Sequence, residues 1–259
     1  MKYLKFLRTY VCLLLGFAAF TACTSDEEEA LIPEGKGYVK LSLNADAGFK
    51  ATKAVNESEY QNVDEYTVQI FQDGKQIGEN RTYSEIKEQL IELSRGTYTV
   101  KAFKGEDLPA STTSMYVVGS KDVNIANEIK EVSFVCKPVC AKVKVEFDPL
   151  MDQYFENYWV DFRTEAMGET DYTWLKDYTL PCYMKVNEKE NVSVVINLIK
   201  KEGIKSETSI EKTYEMSPLM FKTIKLKPVL SNGSIGIEIT VDESTNDKNV
   251  EIEVPSDWV

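Results

Sequence analysis

Histidine is absent from the 259 residues. That excludes a Ser-His-Asp triad, a Cys-His dyad and every zinc site that uses an imidazole. Paired carboxylates are the acid-base chemistry left. Basic residues are scarce, with 30 Lys+Arg against 42 Asp+Glu and a net charge of −12. A chain so acidic is not built for nucleic acid, where cations must neutralise phosphates. It is equally unsuited to docking on anionic lipid. Long apolar runs are missing too, apart from Tyr10 to Phe20, which is too short to cross about 30 Å of hydrocarbon comfortably. No cofactor motif and no metal-ligand spacing is apparent. The stretch Asp242-Glu243-Ser244-Thr245-Asn246-Asp247-Lys248-Asn249 is rich in oxygen ligands for calcium. It departs from the EF-hand pattern, and Lys248 opposes a cation, so a polar hairpin loop is expected.

Lys2, Lys5 and Arg8 precede the apolar run, which ends in Phe20-Thr21-Ala22-Cys23. A charged start, a short apolar stretch and small residues at its end are the parts of a secretory signal. Small residues before a cysteine resemble the lipobox of bacterial lipoproteins, although Phe20 stands where that motif usually has leucine. The resemblance implies cleavage after Ala22 and lipidation of Cys23. Several acyl chains at about 0.8 kcal/mol per buried CH₂ give firm attachment without a spanning helix. The following Thr24-Ser25-Asp26-Glu27-Glu28-Glu29 resembles the export signal of Bacteroidetes surface lipoproteins, which implies a cell-surface position on the outer membrane; a solvated acidic linker is the plainer reading. Removing residues 1–22 takes away three basic residues and no acidic ones, so the mature balance becomes −15. The lipid must therefore hold the membrane unaided.

Period-two alternation dominates the rest. Val39, Leu41 and Leu43 alternate with polar residues, as do Tyr66, Val68 and Ile70, and Tyr98, Val100 and Ala102. Val143, Val145 and Phe147 face away from Lys142, Lys144 and Glu146. Ile235 to Val241 and Val250 to Val254 repeat the pattern. Val192 to Ile199 is apolar on nearly both faces and suits a central strand. Turns fall at Asp73-Gly74, Asp148-Pro149 and Asn232-Gly233. The one helix candidate runs from Ser84 to Leu90, with Ser84 as cap. The pattern predicts an all-β chain of antiparallel sheets packed face to face.

Three cysteines remain downstream of Cys23: Cys136, Cys140 and Cys182. Within one straight strand, Cys136 and Cys140 would lie about 13 Å apart, against about 5.5 Å for a disulfide. Pro138 bending the chain, a bond from either to Cys182, or three buried free thiols all remain open.

The segment Leu93-Ser94-Arg95-Gly96-Thr97-Tyr98-Thr99-Val100 resembles a hairpin of transthyretin-like β-sandwiches. There Gly96 supplies an unusual backbone angle and Tyr98 points into the core. The order of lipobox, acidic spacer, the Gly37-Tyr38-Val39-Lys40-Leu41 strand, this hairpin and Ala141-Lys142-Val143-Lys144-Val145 resembles Bacteroides lipoproteins carrying a domain of unknown function. More distantly it is similar to fimbrillins and their lipid-anchored accessory subunits. The resemblance implies two transthyretin-like or Ig-like antiparallel sandwiches in series: signal 1–22, lipidated linker 23–36, first sandwich 37–137 and second sandwich 138–259.

Aromatic residues crowd the stretch from Asp152 to Tyr178. Tyr158, Val160 and Phe162 share one strand face and Trp159 takes the other. Core packing is expected for most of these rings, with one or two exposed; Trp174, in a loop-like stretch after Gly168, is the strongest ligand-contact candidate, with Trp159 a second, and Trp258 is either a further exposed ring or a plug that closes the last sheet. The expected function is a non-enzymatic, lipid-anchored surface protein that binds or adheres, as an adhesin or a fimbria-related subunit. Its partners would be the membrane through Cys23 and another surface or pilus subunit, or a glycan. A glycan-binding accessory lipoprotein is the alternative. A carboxylate-based glycoside hydrolase ranks third and would need two acids facing one cleft.

Overall fold

The computed structural model describes residues 32–49, 57–201, 207–231, 234–243 and 248–254. The strands are β1 (Lys36–Ala45), β2 (Thr67–Gln72), β3 (Lys75–Thr82), β4 (Ile91–Ser94), β5 (Gly96–Lys104), β6 (Ala110–Ser111), β7 (Val117–Ile125), β8 (Ile129–Pro138) and β9 (Cys140–Phe147). They continue as β10 (Phe155–Arg163), β11 (Tyr172–Leu175), β12 (Cys182–Lys185), β13 (Glu190–Lys200), β14 (Glu207–Met216), β15 (Phe221–Ser231), β16 (Ser234–Glu243) and β17 (Lys248–Glu253). Among the described residues two 3-10 turns, Glu57–Gln61 and Val63–Glu65, and two single-turn α-helices, α1 (Tyr83–Ile86) and α2 (Met151–Tyr154), interrupt them. The helix expected from Ser84 to Leu90 is thus one turn that begins earlier. Thr82 N–H donates to Glu85 Oε2 at 2.8 Å, so the N-terminal cap sits at Thr82 rather than Ser84.

The architecture is all-β. One seven-stranded sheet runs β3-β2-β5-β7-β8-β1-β4. It folds over at β7 and β8, which share only the pairs Val117–Pro138 and Val118–Lys137. The two halves face each other across a core that includes Val39, Leu41, Tyr66, Val100, Val123 and Val132. These are the inward positions of the alternating runs, and burying each large one contributes about 1.5–3 kcal/mol. A second core lies between the four-stranded sheet β11-β10-β13-β14 and the six-stranded sheet β17-β16-β15-β9-β12-β6. Residues from Gly35 onward form one compact unit that holds both cores.

Most neighbours are antiparallel, but each core also contains one parallel pair that alternation did not reveal. β1 pairs with β8 from Tyr38–Ile129 to Ala45–Cys136. β9 pairs with β15 from Lys142–Phe221 to Phe147–Leu226. Alternation encodes which face a side chain takes, not the direction of the neighbouring strand.

Turn chemistry follows the sequence at two expected places. Asp73 and Gly74 both have positive φ, 51° and 74°, the conformation that a tight two-residue hairpin between β2 and β3 requires. Asp148 Oδ1 accepts from Leu150 N–H at 2.8 Å. Tyr98 is buried and donates its hydroxyl to Ser94 O at 3.0 Å, as the hairpin reading of Gly96 to Tyr98 requires. Asn232-Gly233 lies outside the described residues.

Two crossings tie the cores together. β6, from the first half of the chain, pairs with β12 at the edge of the six-stranded sheet. Tyr183, on β12, turns away from its own core and packs into the first. Around it the outer face of the six-stranded sheet is covered. Lys142 Nζ pairs with Glu57 Oε1 at 2.6 Å, its side chain fully buried. Tyr183 donates its hydroxyl to the same oxygen at 2.8 Å. The ammonium lies 5.2–5.8 Å from the ring centroids of Phe49, Tyr183 and Phe221.

Candidate functional site

The aromatic-rich stretch forms β10 and β11, and the register separates its rings. A β-bulge between Phe155 and Asn157 leaves Glu156 and Asn157 both exposed. Strict alternation from Phe155 would turn Trp159 inward. The extra residue instead sends Phe155, Tyr158, Val160 and Phe162 into the second core and Trp159 to the outer face.

Trp174 takes the opposite side. It pairs with Val160, an inward residue, and is fully buried. The expectation that it presents an exposed ring is therefore corrected. The stretch after Gly168 becomes a short edge strand in which Trp174 is a core residue. Tyr178, just beyond that strand, is the exposed ring of this segment. Trp258 and Cys23 lie outside the described residues.

Trp159 is half-buried on the outer face of the four-stranded sheet. Its indole N–H donates to Asp161 Oδ2 at 3.0 Å, so the ring lies along the strand toward the next outward residue. Asp161 Oδ2 also accepts from Asn197 Nδ2 at 2.8 Å, and Oδ1 from Thr173 Oγ1 at 2.6 Å. Asn197 Oδ1 in turn accepts from Ser209 Oγ at 2.7 Å. The network thus crosses all four strands, β11-β10-β13-β14. Leu175, directly opposite Trp159 on β11, is 44% exposed and extends the apolar surface. Arg163 closes one end through a two-pronged pair with Asp171, Nε to Oδ1 and Nη2 to Oδ2, both 2.6 Å.

Chemically this is a positioned ring on a rigid floor. Each polar group beneath it is satisfied by its neighbours, so the ring's orientation is fixed before any partner arrives. Both Asp161 oxygens are committed to donors, which holds the carboxylate in place as an acceptor. Asn197 and Ser209 were not foreseen as members of this face. The available signal is the amide of Asn197, the one polar residue besides Ser193 in the run Val192 to Ile199.

The remaining cysteines are free and buried. β8 ends at Pro138 and β9 begins at Cys140, so Cys136 and Cys140 stand on successive strands. Cys140 pairs in register with Lys185, and Cys182 with Val143. Cys182 faces the second core and Cys140 the first, on opposite sides of one sheet. Burial pushes the Cys136 thiol up to about 11 and those of Cys140 and Cys182 to about 12, which suppresses the reactive thiolate. Among the described residues no group of three or more Cys, Asp or Glu side chains is placed to hold a metal. Asp242, from the stretch weighed for calcium, is paired with Lys225, and residues 244–247 lie outside the described residues. No helix among the described residues is long and apolar enough to cross a membrane.

A family model, Domain of unknown function (DUF4493), matches residues 35–256. The chain belongs to this family. The DUF4493 match opens one residue before β1 and runs past the end of β17, so it spans both cores. Solved structures similar to this DUF4493 chain include a fimbrial assembly protein from Parabacteroides distasonis, at 14% identity over 84% of this chain and 98% of that one, TM-score 0.40. Candidate adhesins from Bacteroides ovatus (10% identity, 85% of this chain and 96% of that one, TM-score 0.44) and Bacteroides thetaiotaomicron (12%, 81% and 97%, TM-score 0.41) are also similar. Among curated proteins none matches the sequence.

Proposed function

We propose that this DUF4493 chain is a non-enzymatic binding or adhesion protein, tethered by lipid at Cys23 to the outer membrane and facing the medium. Its folded part comprises a first sandwich from 37 to 137 and a second from 138 to 259, each with its own core. The observation that carries the reading is the Trp159 face. An aromatic ring and an exposed leucine sit on a hydrogen-bonded network that spans four strands. Rigid aromatic anchors on a satisfied polar floor are what recognition surfaces use. The lipobox-like end at Cys23, the acidic run behind it and the mature balance of −15 supply the tether and argue for a lipid-held protein. A fimbria-related subunit is one form of this function. A glycan-binding accessory protein is the second reading, supported by the half-buried Trp159 indole beside exposed Leu175, an aromatic surface on which a sugar ring can stack.

Three measurements test it: protease treatment and adherence of intact cells, and membrane fractionation. Added protease should remove the wild-type protein, while Cys23→Ala should release it from the membrane fraction. Trp159→Ala should remain on the surface and cut cell adherence several-fold. Protection of the wild type from protease overturns the surface placement. Undiminished adherence of Trp159→Ala cells overturns the role of the sheet face.

A further inference from the structure

At one side of the second sandwich the two sheets end without meeting. β11 is the edge of the four-stranded sheet and β6 the edge of the six-stranded one. The segment from residue 176 to residue 181 crosses this gap to reach β12. Between them lies an open cavity of about 550 Å³, lined by Thr112, Tyr172, Asp177, Tyr178, Thr179 and Leu180 beside Ala110 of β6. That volume falls in the range of small-ligand sites, about 300–1,000 Å³.

The lining is prepared rather than collapsed. Tyr178 N–H donates to Leu175 O at 3.0 Å, which sets the turn. The Tyr178 ring meets buried Trp174 edge-on at 6.3 Å, so its inner side is fixed while 43% of the residue stays exposed. Leu180 is 54% exposed beside it. Trp174 therefore acts from beneath, as a support for a neighbouring ring.

The polar groups differ from those under Trp159. There every carboxylate and amide oxygen is engaged. Here Asp177, Thr112 and Thr179 make no hydrogen bond or ion pair among the described residues. Two tyrosine rings, an aliphatic wall, one uncommitted carboxylate and two uncommitted hydroxyls converge on one space. The geometry points to a binding site for a neutral saccharide of a few residues. Tyrosine faces stack on the apolar side of a sugar ring, the carboxylate accepts from its hydroxyls, and the threonines both donate and accept. An ammonium ligand offers donors alone and leaves the threonine donors unused. An anionic sugar meets Asp177 and the acidic charge of the chain. The inference rests on the binding function proposed above and names a ligand class for it.

The test is calorimetric titration of the full-length protein with three probes: neutral oligosaccharides of two to four residues cut from dextran, mannan and xylan; uronic-acid oligosaccharides cut from pectin; and spermine. At least one neutral oligosaccharide should bind, and pectin fragments and spermine should not. Tyr178→Ala and Asp177→Asn should each weaken binding about tenfold, Tyr178→Phe should stay near wild type, and Leu230→Ser should leave binding unchanged. These positions are exposed, so the variants fold. Binding lost in Trp159→Ala and kept in Tyr178→Ala overturns the pocket and moves sugar recognition to the sheet face. Spermine or pectin binding without neutral-sugar binding overturns the ligand class. Silence with all three probes overturns the site, while adherence of intact cells still decides the binding function on its own.

Discussion

The two sheets of the second core present outer faces with similar ingredients and opposite fates. On the outer side of the six-stranded sheet Lys142, Glu57 and three aromatic rings form a network that is covered, with Lys142 fully buried and Glu57 only 11% exposed. On the four-stranded sheet Trp159, Asp161, Asn197, Thr173 and Ser209 form a network that faces outward. Charge beside aromatic carbon is a fastener in the first case and a platform in the second. The difference lies in what packs above each face.

The largest expected effect comes from breaking the covered network. Lys142→Ala leaves the largely buried Glu57 carboxylate without its cation, with the Tyr183 hydroxyl still donating to it, and such a loss costs about 3 kcal/mol. Urea unfolding should show it as a large drop in midpoint. The double change Lys142→Met with Glu57→Leu should recover most of the loss, because a matched apolar pair carries no desolvation penalty. Cys140 lies on the same covered face, its thiol held up to about 12 by burial. In Lys142→Ala it should alkylate faster, while Cys182 on the other side of the sheet should not. Equal, slow alkylation of both cysteines together with an unchanged midpoint would mean that the cover does not depend on the ion pair.

This contrast also marks the limit of what the sequence discloses. Alternation through Ala141-Lys142-Val143-Lys144-Val145 correctly assigns Lys142 to the outer side of β9. It does not say that the first core lies on that side, because Glu57 is 85 residues away in the chain. Long alternating runs such as Val39 to Leu43 and Ile235 to Val241 needed no partner to be recognised. Tyr172 to Leu175 is too short to show a period, so Trp174 read as a loop residue when it is a core one. The bulge that turns Trp159 outward left enough sequence, Tyr158 to Phe162, to assign its face. Asn197 carried a faint signal, and Asp177 none, since a lone acid in a turn is ordinary until a cavity is seen beside it.

A smaller effect is expected on the open face. Asp161→Ala removes the acceptor shared by Trp159, Thr173 and Asn197. Solvent can satisfy part of what is lost, so the stability cost should be about 1–2 kcal/mol, well below that of Lys142→Ala. The indole should lose its fixed orientation. In a Trp258→Phe background, Trp159 fluorescence would report this as faster anisotropy decay beside the buried Trp174. A cost as large as that of Lys142→Ala would show that the outward network is itself a fastener, and the distinction between the two faces would fall.

The smallest effect concerns Arg163 and Asp171, side chains 66% and 40% exposed on the open face. The two-pronged hydrogen bonding from Arg163 holds the Asp171 carboxyl below the ordinary carboxylate range. A lowered value in the folded state favours folding while the carboxylate is charged. The contribution is therefore present above the unfolded value of about 3.9 and disappears as pH falls through the folded one. Titration of the Asp171 carboxyl carbon by NMR should show a low midpoint that rises in Arg163→Ala. High salt should move it in the same direction, because exposed pairs are screened over about 10 Å or less. The stability lost in Lys142→Ala should change much less over the same salt range, since that pair is largely shielded from solvent. A normal midpoint for Asp171 in the wild type would mean that the clasp is not formed in solution and that the Trp159 platform is open at that end.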